Sequence, residues 1–341
     1  MENIPNETRS EDGTGTFLVF WTLFNETQNL DVADTSNTSW TNSSVGNLLV
    51  ILVILLYSSR SSLPNIYIIN LAIADFLFML TIPFLAYLYI EQNWVFGRVI
   101  CKLVMSVDGM NQFAGVLFLT AMSFDRYLAI VRPISSLKVR SVRKTRLLCT
   151  AVWGFSVVLC LPLWMYTDVV LSHNERQNTC GIFWPQTLRK TFVVYAFAVG
   201  YILPLLVIST CYFAILAQVS KKALPGMGNK RQRSSRRVAV LVIVAVIVFA
   251  ICWLPFYAIQ LYIEFFLEAA MPSMTATIVY YVSICLSYSN SALNPFVYTF
   301  VGKMYRENIK RLLRCKIKTN GSAPGSSQIS CQTAISSDTR L

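Results

Sequence analysis

The chain has 341 residues, of which 55% are apolar and only 13% charged, with a formal charge of +12. So few charges cannot solvate a globule of this size, which makes a membrane the natural solvent and excludes an ordinary soluble domain. Nine cysteines scattered without a CxxC or Cys/His cluster, and a single histidine, His173, argue against a zinc or haem centre.

Residues 1–44 read as a polar N-terminal tail. Four N-glycosylation sequons begin at Asn6, Asn25, Asn37 and Asn42, which places this tail outside the cell, with Asn6 and Asn25 as the glycosylation sites and Asn37 and Asn42 drawn into the bilayer without sugar. Phe17–Phe24 is eight residues long and lacks a basic flank, so it does not read as a signal peptide. Seven apolar stretches follow: Val45–Tyr57, Ile66–Ile90, Leu103–Val131, Leu147–Tyr166, Phe192–Val219, Val238–Phe266 and Thr277–Val301. The last six are long enough to cross a bilayer. The first has 13 residues and covers about 20 Å as a helix, short of a hydrocarbon core of roughly 30 Å.

Lysine and arginine positions orient the spans. With the N-terminus outside, 22 of these residues fall in cytoplasmic segments and six in outer ones, with Arg126 at a span end. This bias also accounts for the +12 charge through anionic lipid and a cytoplasmic partner, and removes nucleic acid from consideration. An outer N-terminus and a cytoplasmic tail need an odd number of crossings, so the short first stretch must also cross, with a polar outer half. The spans then form one domain, residues 45–301. Residues 302–315 form an amphipathic cytoplasmic helix, in which Tyr305, Ile309 and Leu312 recur at helical spacing ahead of Cys315. Residues 316–341 are a disordered cytoplasmic tail.

Short strings fall at specific depths: Gly46-Asn47 in the first span, NLAIAD (Asn70–Asp75) in the second, SFDRYLAIVRP (Ser123–Pro133) closing the third, Trp153 in the fourth, CWLPF (Cys252–Phe256) in the sixth and NSALNPFVY (Asn290–Tyr298) in the seventh. Together they resemble the rhodopsin-like (class A) G-protein-coupled receptors over about Val45 to Cys315. The resemblance implies an all-α membrane fold, a seven-transmembrane helix bundle with a short interfacial helix after the seventh. NWVFG (Asn93–Gly97) and LVMSVDGMNQF (Leu103–Phe113) are most similar to the somatostatin receptors and their allatostatin-C-type relatives, with opioid receptors next.

Asp75 and Asp108 are the acids lying deep within spans. An ionisable group in a membrane is expensive unless paired, so it marks function by default; the plainer reading is a protonated, hydrogen-bonded structural aspartate. The resemblance makes Asp75, with Asn111, Asn290 and Asn294, an allosteric sodium site, weakened here because Gly115 replaces a hydroxyl that the family usually offers. It makes Asp108 the partner of a cationic group on the ligand. Gln112 faces the same way one turn on, Tyr288 bonds the Asp108 carboxylate, and Gln260 and Trp253 complete the ligand site. The plainer alternative is that Asp108 only ties the third span to the seventh.

Further implied roles concern switching and anchoring. Arg126 is held by Asp125 at rest and reaches the G protein when active, with Tyr127, Tyr212, Phe249, Trp253, Pro255, Asn294, Pro295 and Tyr298 as the moving parts. Alternatively, Asp125-Arg126 is a snorkelling surface pair. Ser234–Arg237 carries no acid, so the resting lock onto the sixth span is weak. The family joins Cys101 to Cys180. Cys315 reads as a palmitoylation site, with a free thiol as the plainer alternative, and Thr339-Arg340-Leu341 as a PDZ ligand.

These features imply a plasma-membrane receptor for an extracellular peptide, coupled to an inhibitory (Gi/o) G protein, with arrestin and receptor kinases as partners. A transporter or channel would need inverted repeats or more buried charge. An enzyme would need a nucleophile or paired catalytic acids, and none is seen. A retinal receptor would need a lysine in the seventh span, and a monoamine receptor serines in Tyr195–Gly200; both are lacking. Acids at Glu91, Asp168, Glu175, Glu264 and Glu268 should give an outer surface that attracts a basic peptide.

Overall fold

A computed structural model describes residues 32–57, 62–171, 177–221, 229–266, 274–301 and 307. The fold is an all-α membrane bundle of seven spans, and among the described residues five helices are long and apolar enough to cross a bilayer. These are the second to sixth spans. The first and seventh are long helices whose apolar character is interrupted by polar residues. In the seventh, Ser283, Ser287, Asn290, Ser291 and Asn294 are all buried.

The first helix runs Val32–Tyr57, 26 residues, and so takes in the polar stretch ahead of Val45. At 1.5 Å per residue it is about 39 Å long, ample for a crossing. What fixes it against the bundle is close approach. A Cβ on Gly46 would meet the Pro295 ring at 3.2 Å, so any larger residue would push the first and seventh spans apart by a few tenths of an ångström. One residue on, Asn47 is fully buried and its Nδ2 donates to the Ser291 carbonyl at 3.1 Å.

The second span is broken by Pro83. Leu63–Met79 and Ile82–Glu91 are separated by a turn at Leu80 and Thr81, where the Thr81 hydroxyl donates to the Phe78 carbonyl at 2.7 Å. The third span, Gly97–Val131, is the axis of the bundle and packs on the second, fourth, fifth and sixth. The fourth is Val142–Tyr166; its Trp153 indole donates to Asn70 Oδ1 at 2.9 Å, joining two of the residues singled out by sequence. The fifth is helical over Gln186–Phe197 and Leu203–Lys221, with a π turn at Ala198–Ile202 between them. Pro204 cannot donate to the carbonyl four residues back, and the wider turn absorbs that mismatch. The sixth and seventh, Asn229–Phe266 and Met274–Val301, pack along each other.

Between the fourth and fifth spans lies an antiparallel hairpin, β1 (Thr167–Leu171) with β2 (Asn178–Ile182), in which Val169 pairs with Cys180. A disulfide joins Cys180 to Cys101 at the start of the third span, 5.7 Å between Cα atoms. Trp94 of NWVFG is 1% exposed, packs in a cluster with both cysteines, and bonds back to Gly97.

The helical backbone from Val32 draws Asn37 and Asn42 into the first span. Their side chains and those of the neighbouring serines and threonines oppose insertion. Replacing residues 32–42 with an apolar helical segment should therefore raise surface expression several-fold, measured by antibody binding to an N-terminal tag. Glycopeptide mass spectrometry of the unaltered protein should find Asn42 without sugar. A glycosylated Asn42 would mean that the membrane begins beyond it.

Candidate functional site

Three polar clusters sit along the axis of the bundle. The middle one surrounds Asp75, which is 1% exposed. Asn294 Nδ2 donates to its Oδ2 at 2.8 Å, and the Ser291 hydroxyl bonds the same carboxyl group. Ser291 Oγ in turn accepts from Asn111 Nδ2 at 3.0 Å. Asn47 bonds the Ser291 carbonyl, and so reaches Asp75 through Ser291. Asn111 Oδ1 and Asn290 Oδ1 are buried with no hydrogen-bond partner. The structure thus joins Asp75, Asn111 and Asn294 in one network and adds Ser291, which meets Asp75, Asn111 and Asn47; Asn290 is buried on the same helix as Ser291 and Asn294. Gly115 lies on the same helix as Asn111, one turn further along; a Cβ there would meet only Leu71, at 3.9 Å.

The second cluster lies toward the hairpin end. Asp108, seven residues and about two helical turns from Cys101, is half-buried and hydrogen-bonds Tyr288. Tyr288 stacks edge-on against Phe78, centroids 4.8 Å apart. Gln112, one turn from Asp108, donates its amide to the Tyr257 hydroxyl. Tyr257 was not legible as a site residue, though it stands one turn from Trp253 on the same helix face. Gln260 bonds Tyr280, another residue sequence reasoning passed over. Trp253 is buried beside Phe249, Phe256 and Tyr257, and its indole N–H has no hydrogen-bond partner. A groove of about 820 Å³ runs along Thr187, Lys190, Thr191 and Val194, and neither Asp108 nor Gln112 lines it.

The third cluster closes the opposite end. Asp125 and Arg126 are both 5% exposed and paired to each other. Arg140, from the loop after the third span, takes the same carboxylate in two-pronged fashion: Nε to Oδ1 at 2.7 Å and Nη2 to Oδ2 at 3.1 Å. Asp125 is thus shared by two arginines and lies inside the protein, which removes the reading of a surface ion pair. Nothing in the sequence marked Arg140 among its basic neighbours. Tyr127 is half-buried and stacks on Phe124. Tyr212 donates to the Ala239 carbonyl at 3.0 Å, linking the fifth and sixth spans. Tyr298 is fully buried, and Pro255 and Pro295 lie inside the sixth and seventh helices.

The expected acidic outer surface needs correction at two positions. Asp168 is ion-paired with Arg98 at 2.6 Å. Its carboxyl is held below the usual carboxylate range, first by the Val169 N–H and then by Arg98 and Lys102. Glu264 is not on the surface at all: it is 6% exposed and lies 2.8 Å from Arg189. Both acids are already partnered because each basic residue sits on the neighbouring element. Glu175, Glu268, Asn6, Asn25, Cys315 and Thr339–Leu341 lie outside the described residues.

Comparison with known proteins converges on one family. A family model described as 7 transmembrane receptor (rhodopsin family) matches residues 46–298. The chain is 41% identical over 272 residues to the Bos taurus somatostatin receptor type 5, covering 79% of this chain and 72% of the relative. It is 39% identical over 283 residues to the Rattus norvegicus somatostatin receptor type 4, covering 82% and 72%. The Sus scrofa somatostatin receptor type 2 is also 39% identical over 283 residues, with 82% and 76% covered.

The tight join between the fifth and sixth spans gives a stability prediction. A Cβ on Gly200 would meet the Tyr257 hydroxyl at 2.5 Å and the Phe113 ring at 3.3 Å, and neither ring has a flexible end. Overpacking of this kind costs about 1–3 kcal/mol, so Gly200→Ala should lower the melting temperature in detergent by roughly a few degrees. Adding Tyr257→Phe, which removes the hydroxyl, should recover part of that loss.

Proposed function

The chain belongs to the rhodopsin family of seven-transmembrane receptors, and from that premise we propose that it is a receptor for a basic neuropeptide of the somatostatin or allatostatin-C type, lowering cyclic AMP through an inhibitory (Gi/o) G protein. As a class A peptide receptor it is a multi-pass plasma-membrane protein and not an enzyme; its N-terminus is proposed to be extracellular from the lysine and arginine bias.

The observation that carries the ligand class is the Asp108 carboxyl, held by Tyr288 on the hairpin side of the polar core. A lysine or arginine of the peptide replaces water at that carboxylate in a partly dry site, where a charge pair is strong. Gln112, Gln260 and Trp253 are the proposed neighbours of the bound peptide. Gln112 reports to Tyr257, whose ring lies 6.1 Å from Trp253, and Trp253 stands two residues before Pro255. Peptide at Asp108 thus biases the packing beside Pro255, and the sixth span turns. At the far end Arg126 leaves Asp125 for the G protein. Arg140 stays on Asp125 and spares it an unpaired buried charge.

Sodium is proposed as an allosteric ligand at Asp75, Asn111, Asn290 and Asn294. The unpartnered amide oxygens of Asn111 and Asn290 are hard donors of the right kind. Gly115 supplies no oxygen opposite them, so binding is weak. Sodium held there would steady the polar core and oppose its rearrangement. Arrestin and receptor kinases are further proposed cytoplasmic partners, with palmitate on Cys315 and a PDZ domain at the C-terminus.

Asp108→Asn should abolish peptide activation with surface expression intact, because losing a buried charge pair is worth about 2–5 kcal/mol. An unchanged dose-response to a somatostatin and allatostatin-C peptide panel would rule out the pairing role. Activation of the wild-type receptor should lower cyclic AMP, and pertussis toxin should block the effect. A toxin-insensitive response would exclude the inhibitory class.

A further inference from the structure

Glu264 is a buried carboxylate that the bundle leaves incompletely satisfied. Its side chain is 4% exposed. The Arg189 Nε lies 2.8 Å from Oε1, but its N–H is not aimed at that oxygen and makes no hydrogen bond. Glu264 Oε2 is buried with no hydrogen-bond partner at all. A carboxylate out of water needs donors on both oxygens, and leaving one bare is costly.

The direction in which it faces follows from helical spacing. Trp253, Tyr257, Gln260 and Glu264 are separated by four, three and four residues, and so form one stripe on the sixth span. Tyr257 on this stripe meets Gln112, one turn from Asp108. Gln260 meets Tyr280, which in turn feels the charges of Asp108, Arg189 and Glu264. Tyr280 stands eight residues from Tyr288, on the same face of the seventh span. Glu264 is therefore the last rung of the face that looks onto Asp108, and not part of the outer surface.

We propose that Glu264 is a second acidic anchor for the ligand: its unpartnered oxygen accepts a guanidinium or ammonium group from a peptide already held at Asp108. It selects among basic peptides by the spacing of two cationic groups. The inference rests on the peptide-receptor reading above. Arg189 need not leave, because the unpartnered oxygen is Oε2, while Arg189 lies against Oε1. The rival account makes the pair a strut between the fifth and sixth spans.

The probes are somatostatin and a series of its analogues with one arginine placed at each position in turn. G-protein activation is measured on the wild type, on Glu264→Gln and on the exchanged pair Arg189→Glu/Glu264→Arg, with surface expression followed by antibody. On the wild type, at least one analogue should gain about tenfold or more in potency over the parent peptide. That gain should vanish in Glu264→Gln and stay absent in the exchanged pair. Should Glu264→Gln fail to reach the surface, Glu264→Met removes the same charge with an apolar side chain of similar length. A gain that survives loss of the carboxylate, no analogue with a gain, or full restoration by the exchanged pair would each overturn the anchor. A wild-type receptor silent to every peptide would instead overturn the ligand class itself, and the anchor with it.

Discussion

In a bilayer core there is no water to satisfy a polar group, so each buried carboxyl, amide and hydroxyl must find its partner inside the protein. The Asp75 cluster is where this constraint shapes the whole bundle. Asp75 comes from the second span, Asn111 from the third, Asn294 and Ser291 from the seventh, and Asn47 from the first. Removing one partner strands another, at about 1–3 kcal/mol per neutral group. Four spans are therefore locked in one register by side chains that no single helix could satisfy alone.

The same constraint accounts for a first helix that hydropathy alone would reject. Its apolar run is too short, yet it docks on the seventh span through Gly46 against Pro295 and Asn47 against the Ser291 carbonyl. Ser43 and Ser44 are also buried against the bundle, so part of the polar outer half is hidden from lipid. Membrane helices associate largely through small residues and hydrogen bonds, since lipid is as apolar as leucine. The polar residues here serve association where they face the bundle and oppose insertion where they do not.

What could be read from the sequence follows from how local each signal is. The spans, the buried acids, the Asp108 and Gln112 pair one turn apart, and the aromatic step from Phe249 to Trp253 all rest on spacing within one helix. Ser291, Arg140, Tyr257, Tyr280 and the Arg189–Glu264 pair depend on what the neighbouring element presents. Ser291 is one of many serines in the seventh span, and its importance lies in its contacts with three other spans. Glu264 read as a surface acid because nothing local showed that Arg189 would arrive from the fifth span to bury it. The π turn at Ala198–Ile202 was hidden for a related reason: Pro204 announces a lost hydrogen bond, but not how the chain repairs it.

The contrast between the spans also bears on which of them can move. The second, third and seventh share hydrogen bonds between side chains at their middle, and the first joins them through Asn47 to the Ser291 carbonyl. The sixth is tied to the fifth by Tyr212 to the Ala239 carbonyl and Tyr201 to the Ala250 carbonyl, each at 3.0 Å. Those carbonyls lie within a continuous helix, so each tyrosine adds a second bond to a group the helix already uses, and breaking it strands the tyrosine hydroxyl alone. Around Trp253 the contacts are ring against ring, and the buried indole N–H has no partner to hold it in place. Aromatic contacts tolerate sliding better than a hydrogen bond tolerates misdirection. Near Trp253 the sixth span is held by ring contacts, by the Tyr201 bond to the Ala250 carbonyl and by the Gln112 bond to Tyr257 from the third span, and at its top by an ion pair without a well-aimed hydrogen bond, whereas turning the seventh against the second would break the Asp75 core. This distribution of polar partners supports the proposed turning of the sixth span against the Asp75 core.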